Sequence, residues 1–421
     1  MAEQTSSPEA APAGDLDEVL VIETSRWQDG PPHELFRELR GRCPVHWSAS
    51  IPEFPEQDGF WSVTRAEDVH AVSRDWETYS SELGGITALT GAVMPLELVR
   101  AMFIGMDPPK HDRLKALFQR GFTPKRIADH EPAIRAIAAD TLDRLDGPPA
   151  REGCDLVADV AQPIVSRVIG SFMGIPPEDD AAWARLMNAS MGAGDRDLNP
   201  DGPESVVRRE MPEIFARCRE LIEARRENPT DDLTSVLVHA EIDGERLSEQ
   251  EIVMGFVLLL AAGNDSTKAT YCSGMRAVME DERQRELVVE GGEYDGLVEE
   301  SLRMFPAFAH FRRTATRDAE LGGRTIRAGE KVVMWYASSN RDEAVHSDPD
   351  RFDVTRRAEH QAFGAGGRHF CLGTALARLE LRVMFEETLA RHPRIALDGS
   401  PAHALSPWIN QLKTLPVRFA P

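Results

Sequence analysis

One stretch constrains this chain more than any other: Phe363-Gly364-Ala365-Gly366-Gly367-Arg368-His369-Phe370-Cys371-Leu372-Gly373. Its glycines make a flexible turn in which backbone can approach another body closely. The cysteine then sits at the mouth of a helix that the pattern predicts from about Leu372 to Arg391. A helix N-terminus offers positive potential and free N–H donors, which favour a thiolate, and a thiolate held there is a good metal ligand. Arg368 and His369 beside it can meet carboxylates. The alternative is a glycine-rich turn before a helix, with an incidental cysteine. The other cysteines, Cys43, Cys154, Cys218 and Cys272, are scattered without CxxC spacing, which gives no disulfide framework and no zinc site.

The remaining 410 or so residues must build the support, at roughly 150 residues per domain two or three units or one large fold. No internal repeat and no mid-chain linker divides them. Predicted helices dominate: Pro32 to Arg40, a short basic one from Pro109 to Gly121, Asp155 to Met173, Pro203 to Arg226, Asp231 to Leu237, and a long one opening at Ser248. There Ser248 and Glu251 form a capping box, and the helix runs to about Met279. Strands are short and local, at Gly59 to Thr64 and within Ala319 to Trp335. Residues 188–202, rich in Gly, Asn, Asp and Pro, read as a mobile segment. The expectation is a mainly α chain with small β-sheets, a single α+β domain over residues 19–421 after a loose tail at 1–18. Lys plus Arg is 48 against 70 Asp plus Glu, a formal charge of −22, which argues against a general nucleic-acid binder. The longest apolar run, Ile252 to Gly263, is short of the roughly 20 residues a membrane span needs. No membrane anchor is expected, and a cytoplasmic location is.

Two further elements carry chemistry. Glu300 and Arg303 lie at i and i+3 on one helix face and can pair; a solvated pair is the bland reading. On the long helix, Ala261-Ala262-Gly263-Asn264-Asp265-Ser266-Thr267 sets a mid-helix glycine before an acid and two hydroxyls. Those hydroxyls can bond back and open the helix ladder, and an acid beside a hydroxyl offers a proton route. A kinked core helix with a buried Asp bonded to backbone is the alternative.

The glycine–cysteine string resembles the haem-binding loop of the cytochrome P450 monooxygenases, with Cys371 where their axial thiolate belongs. Phe363 stands one residue further from the cysteine than the usual bacterial spacing. The extra glycine resembles a variant found in bacterial members that act on steroids and branched lipids. The resemblance implies the P450 fold and haem b as cofactor. It implies Cys371 as the metal ligand, with Gly263, Phe363 and Gly373 against the haem. It also implies that His111, Lys115 (where the family has Arg), Arg313 and His369 serve the propionates. Glu300, Arg303 and Arg356 map onto the family's structural network behind the haem loop. The acid–alcohol pair maps to Asp265 and Ser266, with Thr267 next.

What the resemblance further implies is activation of O2 with electrons from a ferredoxin and its reductase, and hydroxylation of a hydrophobic lipid, terpenoid or steroid-like molecule. Substrate-lining candidates are Ile86, Leu89 and Met94 in the apolar segment between Glu82 and Met106, Val257 and Ala261 one turn apart, and Phe308. That segment fits a pocket wall or short helices packed on the core. Lys110, Arg113, Lys115, Arg368 and Arg378 are candidates for a basic dock for an acidic ferredoxin. Two other classes fit the same string: a same-fold enzyme with peroxide-driven or non-oxygenating chemistry, and a non-catalytic haem-binding protein.

Overall fold

The computed structural model describes residues 16, 19–49, 51, 55–90, 94–119, 121–145, 153–242, 244–357 and 359–419. Of the expected tail, Leu16 is described and is buried against Leu20, Trp27 and Phe36; the rest of residues 1–18 lies outside the described residues. About half of the chain is helical, in one domain with small sheets.

The framework is a set of helices around the longest. We label α1 His33–Arg42, α2 Ala66–Arg74, α3 Lys110–Gln119, α4 Gln162–Met173, α5 Asp180–Met191, α6 Met211–Glu227, α7 Glu249–Glu280, α8 Tyr294–Met304 and α9 Thr374–Arg391. The capping box starts α7: the Glu251 N–H donates to Ser248 Oγ, and the Ser248 N–H donates back to the Glu251 carboxylate at 2.9 Å. α7 is apolar on almost every side, so it is buried on almost every side. Ile252, Phe256 and Leu260 pack with Ile164, Val168 and Ile169 of α4, and Tyr271 and Met275 pack with Phe385 and Leu389 of α9. The one described segment apolar and long enough to cross a membrane, Leu156–Met173, is two-thirds buried in this core.

A five-stranded sheet flanks the bundle. Its strands are β1 Val45–Ser48, β2 Phe60–Val63, β3 Tyr79–Ser80, β4 His310–Ala315 and β5 Lys331–Trp335, in the spatial order β1-β2-β5-β4-β3. β5 runs parallel to β2, and the other pairs are antiparallel. Alternation along β4 sorts its side chains. Phe311 and Arg313 face a central cavity. His310 and Arg312 face away, toward the Pro407 carbonyl and Thr90.

The expectation of a mobile segment at 188–202 is corrected. Its first residues complete α5, and Asp195 and Asn199 are buried. The Asp195 carboxylate accepts the N–H groups of Leu405 (2.8 Å) and Asp197 (2.9 Å) and the Lys413 ammonium (3.1 Å). Short polar side chains that satisfy nearby backbone make an ordered loop from a composition that also suits a linker.

Candidate active site

The cysteine loop closes on itself. The Cys371 N–H donates to the Phe363 carbonyl at 2.9 Å. Gly364, Gly366 and Gly367 hold φ of +94°, +89° and +80°, which side chains rarely adopt. This is how the extra residue is absorbed: the loop bulges onto α2, where Ser73 Oγ donates to the Gly366 carbonyl at 2.8 Å. A Cβ on Gly367 would stand 2.5 Å from the Ser73 carbonyl oxygen, whereas one on Gly366 would meet nothing closer than 3.7 Å. Gly366→Ala should therefore cost about 1–2 kcal/mol, the left-handed strain alone. Gly367→Ala should cost distinctly more, because backbone must move; paired urea titrations will read the difference.

Lys115 holds the loop as well. Its ammonium is buried and donates to the carbonyls of Arg368 and, at 2.7 Å, Phe370. It clamps the loop's backbone. An ammonium has the reach and the several donors to bridge two carbonyls.

The Cys371 thiol opens onto the cavity. Burial pushes its pKa up, opposed by the Gly373 N–H, Lys115 and Arg378. The helix N-terminus alone therefore does not make a free thiolate here, contrary to the simple reading; a bound cation would, since a coordinating thiol loses its proton. Gly373 leaves room beside the sulfur, a Cβ there falling at 3.9 Å. Phe363 is capped by the Arg378 guanidinium, 4.8 Å from its ring centre, and that guanidinium is paired with Glu299 at 2.6 and 2.9 Å.

At one edge of the cavity basic groups converge. The rings of His111 and His369 lie 4.2 Å apart. His111 Nδ1 bonds Asp112 at 2.8 Å, and its buried Nε2 has no partner. His369 Nε2 meets Ser81 Oγ at 3.2 Å. Arg313, buried, donates to the Arg312 carbonyl at 2.7 Å. Burial lowers the pKa of both histidines, and for His369 the positive Arg313, His111 and Lys115 lower it further. Burial also lowers that of Arg313. Basic groups massed with so little counter-charge and one orphaned ring nitrogen fit an anionic edge such as a pair of propionates.

The walls beyond are apolar. Of the residues proposed to line the pocket, Ile86, Met94, Val257, Ala261 and Phe308 do so. Leu89 does not: the loop turns at Thr87, whose Oγ1 donates to the Leu89 carbonyl, and Leu89 packs against the Trp27–Phe36–Trp335 cluster. The segment between Glu82 and Met106 serves both of its expected uses, since Val99 and Met102 are core and also line the cavity. Sequence reading missed Trp408, whose ring packs tilted against Phe308 at 5.4 Å, and the methionines Met187, Met191 and Met211.

Above the cavity α7 runs without a break from Glu249 to Glu280, so the expected opening of its ladder is absent. Gly263 lines the cavity, and a Cβ on it would meet the Ile169 side chain of α4 at 2.7 Å. Ser266 Oγ bonds back to the Ala262 carbonyl at 2.7 Å. Ser266 and Thr267 line the cavity; Asp265 does not. Its carboxylate is buried and paired with Lys268 at 2.6 Å, a partner the sequence reading overlooked although it stands at i+3.

A second overlooked acid, Glu380 of α9, lies near Thr267 and lines the cavity with Oε1 unpartnered. Burial pushes the Glu380 pKa from 4.5 to about 8. The folded state thus keeps a proton that the unfolded state loses, so stability falls as pH rises between those values, by about 1.4 kcal/mol per unit at most. Glu380→Gln should flatten that slope between pH 5 and 8 in urea denaturation.

Behind the loop, Glu300 and Arg303 of α8 meet bidentately at 2.8 Å, and Arg356 Nε adds a third bond at 3.1 Å. Arg303 also donates to the carbonyls of Asn340 and Pro349, and Arg356 to those of Arg351 and Asp348. The solvated-pair reading is excluded by their burial.

The sequence and fold have known counterparts. The family model described as Cytochrome P450 matches residues 294–395. A methyl-branched lipid omega-hydroxylase of Mycobacterium tuberculosis is 38% identical over 91% of this chain and 90% of its own. Linalool 8-monooxygenase of Pseudomonas putida is 34% identical over 93% and 96%. A steroid C26-monooxygenase of Rhodococcus jostii is 32% identical over 92% and 82%. A Mycobacterium marinum cytochrome P450 solved in complex with pseudoionone superposes with a TM-score of 0.86 at 36% identity, over 92% of this chain and 94% of that one. With a cysteine loop, a basic edge and an apolar chamber arranged around one cavity, this chain belongs to the cytochrome P450 family, as a monooxygenase whose cofactor is haem b.

Proposed function

We propose that the chain hydroxylates an uncharged, hydrophobic lipid, terpenoid or steroid-like molecule with electrons from a ferredoxin and its reductase. The observation that carries this is the Cys371 sulfur, exposed to a chamber whose walls are apolar and whose one edge is basic. Cys371 would hold the iron, and Arg313, His369 and the free Nε2 of His111 the propionates. Bound there, haem supplies the reductive activation of O2, which electron donation from a thiolate favours.

The protein's part is orientation, dryness and protons. Ile86, Met94, Val257, Ala261 and Phe308 exclude water and grip the substrate by area. The titratable Arg313, His369 and Glu380 on the cavity lie at the basic edge or under Thr267, so among the described residues the substrate end carries no cation for a carboxylate. The lipid, terpenoid and steroid names of the relatives support the same class. Ser266 and Thr267 hold hydroxyl protons at the cavity, and Asp265 and Glu380 stand behind them as the groups that exchange protons with those hydroxyls.

For the electron donor, Lys110, Arg113 and Arg368 remain a basic surface on the thiolate side. Arg368 is exposed and bonded to Asp112, and exposed Phe370 is adjacent. Lys115 drops out because it is buried beneath the loop; Arg378, ion-paired and partly exposed as Arg368 is, stays with them. The test is twofold. The reduced, CO-bound holoenzyme should show the shifted Soret band of thiolate ligation, and a surrogate ferredoxin and reductase should drive hydroxylation of hydrophobic compounds chosen by a spectral-shift screen. A normal thiolate spectrum without electron-dependent product would favour peroxide-driven or non-catalytic chemistry.

A further inference from the structure

His310 stands on β4 with its ring turned away from the cavity, and it is 1% exposed. The ring lies 4.6 Å from that of Trp335 and makes two bonds. The Ala88 N–H donates to Nε2 at 3.1 Å, and Nδ1 meets the Pro407 carbonyl at 2.9 Å. An amide N–H only donates and a carbonyl only accepts, so Nε2 is bare and Nδ1 carries the proton. Burial keeps the ring neutral, its pKa lowered from 6.5 to about 4. Each bond has a backbone companion from the same stretch of chain. The Arg312 N–H donates to the Ile86 carbonyl at 2.8 Å, and the Ala309 N–H to the Trp408 carbonyl at 2.8 Å. The peptide planes on both sides of Thr87 are therefore fixed, and so are those on both sides of Trp408. Thr87 and Trp408 both line the cavity.

We propose that His310 is a positioning residue for substrate selection: it fixes the directions in which Thr87 and Trp408 enter the cavity, without touching the guest itself. The inference rests on the monooxygenase reading, since it concerns which hydrophobic molecules that chamber accepts. Two planar peptide groups meet at each Cα, so setting both planes sets the direction of the side chain between them. Thr87 is the turn that sends Ile86 to the cavity and Leu89 to the core, so a shift there moves a wall. Trp408 packs against Phe308, so a shift there moves aromatic surface into or out of the chamber. One imidazole serves both walls because its two nitrogens take opposite roles, acceptor for Ala88 and donor for Pro407. Both bonds are buried, so neither partner has water as an alternative. Lipid, terpenoid or steroid-like guests that fill the space between Thr87 and Trp408 are sorted by width through a residue outside the cavity.

Azoles that ligate the haem iron of the holoenzyme probe the walls directly. Imidazole reports access to the iron alone, 4-phenylimidazole adds a slim arm, and clotrimazole adds a broad one. The ratio of the clotrimazole and 4-phenylimidazole dissociation constants, from spectral titration, should change several-fold in His310→Asn and in His310→Gln, with imidazole binding unchanged. The asparagine amide reaches as far as Nδ1, so it keeps a donor for Pro407 and frees the Thr87 wall. The glutamine amide reaches as far as Nε2, so it keeps an acceptor for Ala88 and frees the Trp408 wall. The effect of Trp408→Ala on the ratio should therefore add to that of His310→Asn and fail to add to that of His310→Gln. A histidine that only supported the fold would lower the urea midpoint in both variants and leave the ratio at its wild-type value. That result, or the same additivity in both cycles, would overturn the proposal. If neither variant folds, wild-type protein with nitrogen-15-labelled histidine decides it. The His310 ring, assigned through its contact with Trp335, should show a bare Nε2 and a protonated Nδ1, and its signals should move more with clotrimazole than with imidazole. The other tautomer, or signals indifferent to clotrimazole, would sink the idea. The reduced CO spectrum separates the two failures: a wild type without the thiolate band counts against the monooxygenase reading, and a normal band with an unmoved azole ratio counts against His310.

Discussion

Cys371→Ala is expected to abolish the thiolate-type CO spectrum and reduce electron-driven turnover to background, while leaving the polypeptide almost as stable as before. The two halves follow from different contacts. The sulfur packs against little, since it opens onto the cavity, so its loss removes few dispersion contacts and should cost within about 1 kcal/mol. The loop is held by other bonds: the Cys371 N–H to Phe363, Lys115 to two carbonyls, and Ser73 to Gly366. None of these needs the thiol. Cys371→His keeps a metal ligand but exchanges an anion for a neutral ring, so the variant should retain some haem without the shifted band. The measurement is a pair of spectra alongside a urea titration of each variant; a normal shifted band from the alanine variant would remove Cys371 from the iron.

The second large effect is the reverse, a loss of stability before any loss of chemistry. Glu300→Ala should destabilise the fold by about 3–5 kcal/mol, the usual result of stripping one partner from a buried ionic network. Arg303 has no exposed surface at its side chain, so its guanidinium cannot recover water when the carboxylate goes. Glu300 Oε1 also accepts the Asp353 N–H at 2.9 Å, and with Arg356 it ties α8 to residues 347–356. Glu300→Gln should lie between, because it keeps an acceptor and loses the charge. Denaturation midpoints of the three proteins give the order, and Glu300→Ala should release haem at a denaturant concentration well below the wild type. A cost under about 1 kcal/mol would show the network to be dispensable.

Much of the site was legible because its chemistry is local in sequence. The glycines, Cys371 and His369 stand within nine residues, Glu300 and Arg303 within one helical turn, and Ser248 and Glu251 within one cap. Helix positions followed from apolar spacing and caps, as with α1, α7 and α9. What was not legible depends on contacts between distant segments. Lys115 looks like a free cation until the loop at 368–370 folds over it. Leu89 and Ile86 are indistinguishable in sequence, and only the turn at Thr87 sends them to different cores. Gly263 reads as a helix breaker, whereas in the fold it lies within an unbroken helix, between the cavity and the Ile169 side chain of α4. Glu380 reads like any helical surface glutamate until α9 is packed beside Thr267. Lys268 was the one omission that spacing could have prevented, since Asp265 precedes it by three residues.

The buried Asp195 carboxylate gives the chamber an unusual kind of hinge. Trp408 forms part of the wall, and the hairpin that carries it, Ala402–His403 and Leu412–Thr414, is strapped through Leu405 and Lys413 to the segment that follows α5. The width of the chamber is therefore written partly into a strand pair near the C-terminus and a surface strap more than two hundred residues earlier. A lineage could retune which molecules fit by editing the strap's length or anchor, with every residue that touches the guest left as it is.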